Sequence, residues 1–139
     1  MDRSPQALQA LLKELELVEG LDLLTATADL ERYSRDAYDY SPVLEPLFRD
    51  CRAHLVVRPH SVDAVVAVAA ACARARIPLT LRGSGTGNYG QCVPLEGGVV
   101  MLMGELRSQV TARKLQLSAW QEVGRISWLL PRPTILHLH

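Results

Sequence analysis

Apolar positions along the chain change their period several times, and each change marks an element. Leu8, Leu11, Leu12 and Leu15 recur at helical spacing, which predicts a helix over Pro5 to Val18. Ser4 stands where an N-cap would. Pro5 takes the first helical position, where its missing N–H costs nothing. Gly20 stops the helix. Leu21 to Leu24 is a short apolar run, read as a strand, and Thr27 to Tyr33 is read as a second short helix. From Tyr33 to Phe48 the chain mixes tyrosines, prolines and charges without a period, which predicts an ordered but irregular connection.

The next block is the sharpest. His54 to Arg58 is an apolar run closed by Pro59, hence a strand. Ser61 caps a helix whose first turn carries Asp63 and whose last turn carries Arg74 and Arg76, each charge at the end its helix dipole favours. Val62, Val65, Val66, Ala69 and Ala73 are the expected apolar stripe. Pro78 ends that helix, Leu79 to Arg82 reads as a second strand, and Val99 to Met103 as a third. Strand, helix, strand in this order predicts a βαβ unit with parallel strands and a right-handed crossover. The expected fold class is therefore α+β, with an α/β-like βαβ core, helices on one face, and the third strand at an exposed edge of the sheet.

Composition narrows the function. With 48% hydrophobic and 22% charged residues, the chain suits a folded domain rather than a disordered one. Fifteen basic residues balance fifteen acidic ones, so no electrostatic capture of nucleic acid is expected. Cys51, Cys72 and Cys92 are odd in number and form no C-x-x-C pair, which argues against a disulfide framework and a zinc site. The N-terminal residues lack the apolar core of a signal peptide. The apolar run Ala64 to Ala73 falls short of the roughly 20 residues a membrane span needs. The expectation is a soluble cytoplasmic protein with no membrane span.

Chemical content is concentrated in Arg82-Gly83-Ser84-Gly85-Thr86-Gly87-Asn88-Tyr89-Gly90. Several glycines together let successive N–H groups turn toward one point, and such a nest binds phosphate or pyrophosphate oxygens. Ser84, Thr86 and Asn88 add side-chain donors. Directly after a parallel strand, the loop belongs at the carboxyl edge of the sheet, where α/β proteins bind ligands. Gly85, Gly87 and Gly90 also spell G-x-G-x-x-G. Pro94, Gly97 and Gly98 leave no room for the helix a Rossmann motif needs, and the ribose-binding acid is missing. Gln91 stands where a P-loop needs lysine, and no strand with the lysine of a kinase glycine loop follows.

A fourth context fits. Val57-Arg58-Pro59, the helix opening at Ser61, Ile77-Pro78-Leu79-Thr80, Arg82 to Gly87, Gly90, Val93-Pro94 and Gly97-Gly98-Val99-Val100 resemble the FAD-binding domain of the vanillyl-alcohol oxidase and p-cresol methylhydroxylase type. Within it, the likeness is to FAD-linked oxidases of the glycolate oxidase and D-lactate dehydrogenase subunit kind. Tyr33-Ser34-Arg35-Asp36 also resembles that family's lead-in, less specifically. The resemblance implies that Gly83, Ser84, Gly85, Thr86, Gly87, Asn88 and Gly90 wrap the FAD pyrophosphate, with Pro59 shaping the adenine and ribose side. Arg82 suits either a phosphate or a structural salt bridge, and the sequence does not choose between them. Relatives with covalent flavin often carry a histidine in this loop. Thr86 stands there here, so FAD is expected to bind non-covalently. Full-length members pass a hydride from a small 2-hydroxy acid or alcohol to the flavin.

The resemblance divides the chain into a helical lead-in (1–50), the first lobe of the FAD-binding domain (51–103) and an unassigned tail (104–139). The tail holds both tryptophans, Trp120 and Trp128, and no aspartate. It lacks the family's continuation, which predicts a truncated or frame-shifted product that binds FAD weakly and does not turn over alone. No catalytic residue is assigned. His137 and His139 form a terminal H-x-H without an evident third ligand, so no metal site is expected. Three readings stay open: part of a flavin-dependent oxidoreductase, a non-enzymatic phosphate- or nucleotide-binding module, and an inactive remnant or docking subunit whose flavin site a second chain completes.

Overall fold

A strand that is apolar at every position must be covered on both faces, and Val99–Leu102 is of that kind. The computed structural model describes residues 5–104 and residue 106. Its elements are α1 (Pro5–Leu15), β1 (Leu21–Leu24), α2 (Thr27–Tyr33), α3 (Glu45–Phe48), β2 (Leu55–Pro59), α4 (Val62–Ala75), β3 (Leu79–Arg82) and β4 (Val99–Leu102). The four strands form one sheet in the order β1-β2-β4-β3. β4 runs parallel to both of its neighbours, while β1 pairs antiparallel with β2, Leu21 opposite Pro59.

This order corrects two expectations. β2 and β3 are parallel, as predicted, but they are not neighbours, because β4 lies between them. β4 is therefore no exposed edge: all four of its residues are buried, and the edges among the described residues are β1 and β3. Its sequence, Val99-Val100-Met101-Leu102, has no polar side to turn toward water, as in a strand buried on both faces.

A third correction concerns the helices. Side chains alternate across a strand. Leu55, Val57, Val99 and Met101 face α4 and α1, meeting Val65, Val68, Ala71, Cys72, Leu11 and Leu15. Val56, Val100 and Leu102 face the opposite side, against Leu24 of β1 and Leu30 and Tyr33 of α2. Helices thus cover both faces rather than one.

In α4 the cap is as expected: Oγ of Ser61 accepts from the N–H of Ala64 at 3.1 Å. The stripe is not. The buried residues are Ala64, Val65, Val68, Ala71 and Cys72, and of the expected set only Val65 belongs to them. The helix is apolar nearly all round, so helical spacing alone fits more than one face. α4 ends with Arg76 in a left-handed conformation (φ 54°), where its N–H and that of Ile77 bond back to Ala73 and Cys72.

Two smaller differences follow from end effects. α1 stops at Leu15, and the chain continues to Val18 through i−3 bonds of the tighter 3-10 kind. α3 is a single turn, with Pro46 near its start, inside the stretch expected to be irregular. His54 and His60 flank β2 at the surface. His60 is engaged there: its Nε2 lies 3.0 Å from Oδ2 of Asp22 in β1. Ser4, Trp120, Trp128, His137, His139 and the rest of the tail apart from Gly104 and Leu106 fall outside the described residues.

Candidate functional site

Because β2, β4 and β3 are parallel, their carboxyl ends share one edge of the sheet. Arg82, the last residue of β3, pairs with Leu102, the last of β4, and the glycine loop leaves from there. Pro59 ends β2 on the same edge but is separated from the loop by β4, and its side chain is fully buried. The structure thus brings Arg82 to Gly90 together and leaves Pro59 one strand away.

The loop is held from the segment that follows α2. Arg82 is only 6% exposed, and its Nη1 donates to the carbonyl of Arg35 at 2.7 Å. The guanidinium also lies 5.8 Å from the Tyr33 ring centroid. Of the two roles the sequence left open for Arg82, neither matches this contact, which ties the loop's base to a backbone carbonyl. Gly85 sits against that guanidinium at φ +69°, and a Cβ there would run into it. The Gly85 carbonyl accepts from the N–H of Ala37 at 2.7 Å. At the loop's far end, the N–H of Gly90 donates to Oδ2 of Asp36 at 3.0 Å. Phe48 fills the space beside Gly90, and Tyr40 packs edge-on to Phe48 at 5.0 Å.

The segment is anchored in its turn. Ser34 is fully buried; its Oγ donates to the carbonyl of Leu30 at 2.5 Å and accepts from the N–H of Ala53 at 2.8 Å. The N–H of Asp36 donates to the Tyr40 hydroxyl at 2.7 Å. Burial is the largest of several influences on that phenol and pushes its pKa up. Cys92 lies under the loop near Asp36 and Gly83. Burial, then Asp36, push its thiol up, against the pull of Arg82 and the Gly83 N–H, so it is held as a neutral thiol.

With the ends of the loop so fixed, its middle is left with donors. Among the described residues, nothing accepts a hydrogen bond from the N–H of Ser84, Gly85, Thr86, Gly87 or Asn88. Ser84, Thr86 and Asn88 are exposed, and the Ser84 and Thr86 hydroxyls lie 3.2 Å apart. Five backbone donors and two hydroxyls in one short loop suit an anion with several oxygens, such as a pyrophosphate. Sequence reasoning singled out the same residues as its expected cofactor contacts. It did not find the supports Asp36, Phe48 and the Arg35 carbonyl; the only signal for them was the family-like lead-in at Tyr33 to Asp36. No group of three or more metal-binding side chains occurs among the described residues, and no helix among them is long and apolar enough to cross a membrane.

Comparison with known proteins agrees with this geometry. The chain is 35% identical over 95 residues to the glycolate oxidase subunit GlcD of Escherichia coli, covering 66% of this chain and 17% of that protein. It is 31% identical over 72 residues to the GlcD subunit of Bacillus subtilis, covering 52% of this chain and 15% of the relative. The chain thus spans under a fifth of the length of these relatives. A solved structure of alkyldihydroxyacetonephosphate synthase shares the fold, with a TM-score of 0.55 at 16% identity over 82% of this chain and 22% of that one. The profile of the FAD binding domain family matches residues 53–124, a stretch that contains the glycine loop and three of the four strands. The chain belongs to the FAD binding domain family, whose cofactor is FAD.

Proposed function

We propose that residues Gly83 to Gly90 hold the pyrophosphate of FAD non-covalently, as part of an oxidoreductase that takes a hydride from a small 2-hydroxy acid or alcohol. The observation that carries the reading is the row of five N–H groups, Ser84 to Asn88, with no acceptor among the described residues. Their dipoles would meet the phosphate charge without any change in the backbone, since both ends of the loop are already tied down. Ser84, Thr86 and Asn88 add donors from their side chains, and Arg82 keeps Gly85 in place from below. Pro59, at the same sheet edge, shapes the wall toward the adenosine half through its backbone and neighbours.

Non-covalent attachment is supported by Thr86 at the place where relatives with covalent flavin often carry a histidine. Bound FAD supplies the two-electron acceptor; the chain's own residues bind and orient it. The walls around the flavin ring and the substrate come from protein outside the described residues, in this chain or in a second one. In support, the relatives are named as subunits of a glycolate oxidase, and glycolate is a 2-hydroxy acid. The three free thiols, Cys51, Cys72 and Cys92, fit a reducing compartment such as the cytoplasm.

Parallel titrations with FAD and riboflavin test the pyrophosphate assignment. FAD is expected to bind and leave a visible flavin band after the free cofactor is removed, whereas riboflavin, which lacks the phosphates, is lost. Equal retention of the two would place the phosphates elsewhere.

A further inference from the structure

We infer that the segment Tyr33–Ala37 is a clamp that sets the conformation of the cofactor loop, with Asp36 as its positioning residue. The inference rests on the reading of Gly83–Gly90 as the FAD pyrophosphate loop. It concerns residues that the family match, which begins at residue 53, does not include.

Three contacts carry it. The segment meets the loop at its base, where the Arg35 carbonyl accepts from Arg82. It meets the loop in the middle, where the N–H of Ala37 donates to the Gly85 carbonyl. It meets the loop at its end, where Oδ2 of Asp36 accepts from the N–H of Gly90. These three contacts leave the N–H groups of Ser84 to Asn88 untouched. They take up the loop's carbonyl at Gly85 and its last amide instead, so the donors between them stay available to a ligand.

Asp36 is the contact made by a side chain, and hence the one that composition controls. Its Oδ2 also lies beside Gly87, where a Cβ would approach it to 3.5 Å. Its other oxygen, Oδ1, is buried and has no hydrogen-bond partner among the described residues. An unmet buried acceptor costs stability, and a side chain placed there for packing alone would not carry that cost. The acceptor on Gly90 is the function that accounts for it. Gly90, at φ +82°, has no side chain of its own to fix it; Phe48 packs beside it and its carbonyl accepts from the N–H of Val93 at 3.1 Å, while Asp36 is the acceptor that fixes the direction of its N–H.

The test pairs amide exchange of the free protein with FAD affinity. In the parent chain the Gly90 amide is expected to be protected from exchange. Asp36→Ala should abolish that protection and weaken FAD by about 10- to 100-fold, the worth of a hydrogen bond to a charged acceptor. Asp36→Asn keeps an acceptor of the same shape and should restore both. Val68→Ala, in the core between α4 and the sheet, should lower thermal stability while leaving the affinity of the folded protein unchanged. Asp36→Ser, which draws the polar atom back from Gly90, serves where the alanine variant does not fold. An unprotected Gly90 in the parent overturns the clamp. So does an affinity that stays unchanged when protection is lost, or that falls as much in Asp36→Asn as in Asp36→Ala. A parent that retains no FAD while Gly90 stays protected overturns the cofactor reading and leaves the clamp standing.

Discussion

His54 and Gly98 hold each other by two hydrogen bonds: the N–H of Gly98 donates to Nδ1 of His54 at 2.8 Å, and the N–H of His54 donates to the Gly98 carbonyl at 2.8 Å. This pair starts the β2–β4 ladder. It requires the imidazole to carry its proton on Nε2 so that Nδ1 can accept. Gly98 has φ +79°, and a Cβ there would strike the Pro78 carbonyl. Gly98→Ala is therefore expected to cost about 2–4 kcal/mol, from backbone strain and overlap together. His54→Ala should cost about 1 kcal/mol for the lost acceptor. Denaturant unfolding of the two variants checks the order; equal small losses would show that the turn tolerates another backbone.

In the glycine loop, Gly85→Ala and Gly83→Ala separate support from open space. A Cβ at Gly85 would meet the Arg82 guanidinium at a positive φ, while a Cβ at Gly83 would meet nothing within 4 Å among the described residues. Gly85→Ala is expected to weaken FAD binding by about tenfold or more, the equivalent of roughly 1.4 kcal/mol. Gly83→Ala should change it much less. Fluorescence titration with FAD decides, and equal effects would mean that the Gly85–Arg82 contact does not shape the loop.

On α4, truncation reads out which face is buried. Val68 is 0% exposed and Val62 is 44% exposed. Val68→Ala should cost about 2 kcal/mol, the upper range for removing two buried methyl groups and leaving a cavity. Val62→Ala should fall within about 0.5 kcal/mol of the parent. A reversal would restore the stripe that helical spacing suggested.

Cys72 gives a pH prediction. Burial, with a smaller contribution from Glu14, pushes its thiol from 9.0 up to about 12. The folded state thus holds a proton that the unfolded state gives up between these values. Stability from this group is complete below about pH 9 and is lost as pH rises toward 12, with a slope of up to about 1.4 kcal/mol per pH unit. The difference between parent and Cys72→Ala across that window isolates the effect. The native thiol should also resist alkylation until the chain unfolds, and rapid labelling of folded protein at pH 8 would contradict its burial.

Much of this architecture is legible in the chain. The caps at Ser61 and Gly20, the breaks at Pro59 and Pro78, and the glycine loop are local signals, and each element they bound is present. What the chain withholds is set by distant partners. The apolar runs at Val56 and Val100 do not say which strand each will lie beside, so the insertion of β4 between β2 and β3 had no local sign. The face of α4 was ambiguous because Val62, Val66 and Ala69 are as apolar as Ala64, Val68 and Ala71. The role of Asp36 is the same case at the site. Its partner Gly90 is 54 residues away, and only the family-like lead-in at Tyr33 to Asp36 sets it apart from a solvated aspartate.

The central place of β4 also governs how the protein is made. β2 and β3 are synthesised first, and neither edge that β4 fills has a partner until Leu102 has emerged. Translation at about 5–20 residues per second leaves an interval of roughly 1–4 s between the emergence of Arg82 and that of Leu102. Throughout that interval β3 has no strand to pair with and one edge of β2 is open, an edge that β4 from a neighbouring nascent chain fits as well as its own. Yield on expression is therefore expected to fall when translation from Gly83 to Leu102 is slowed.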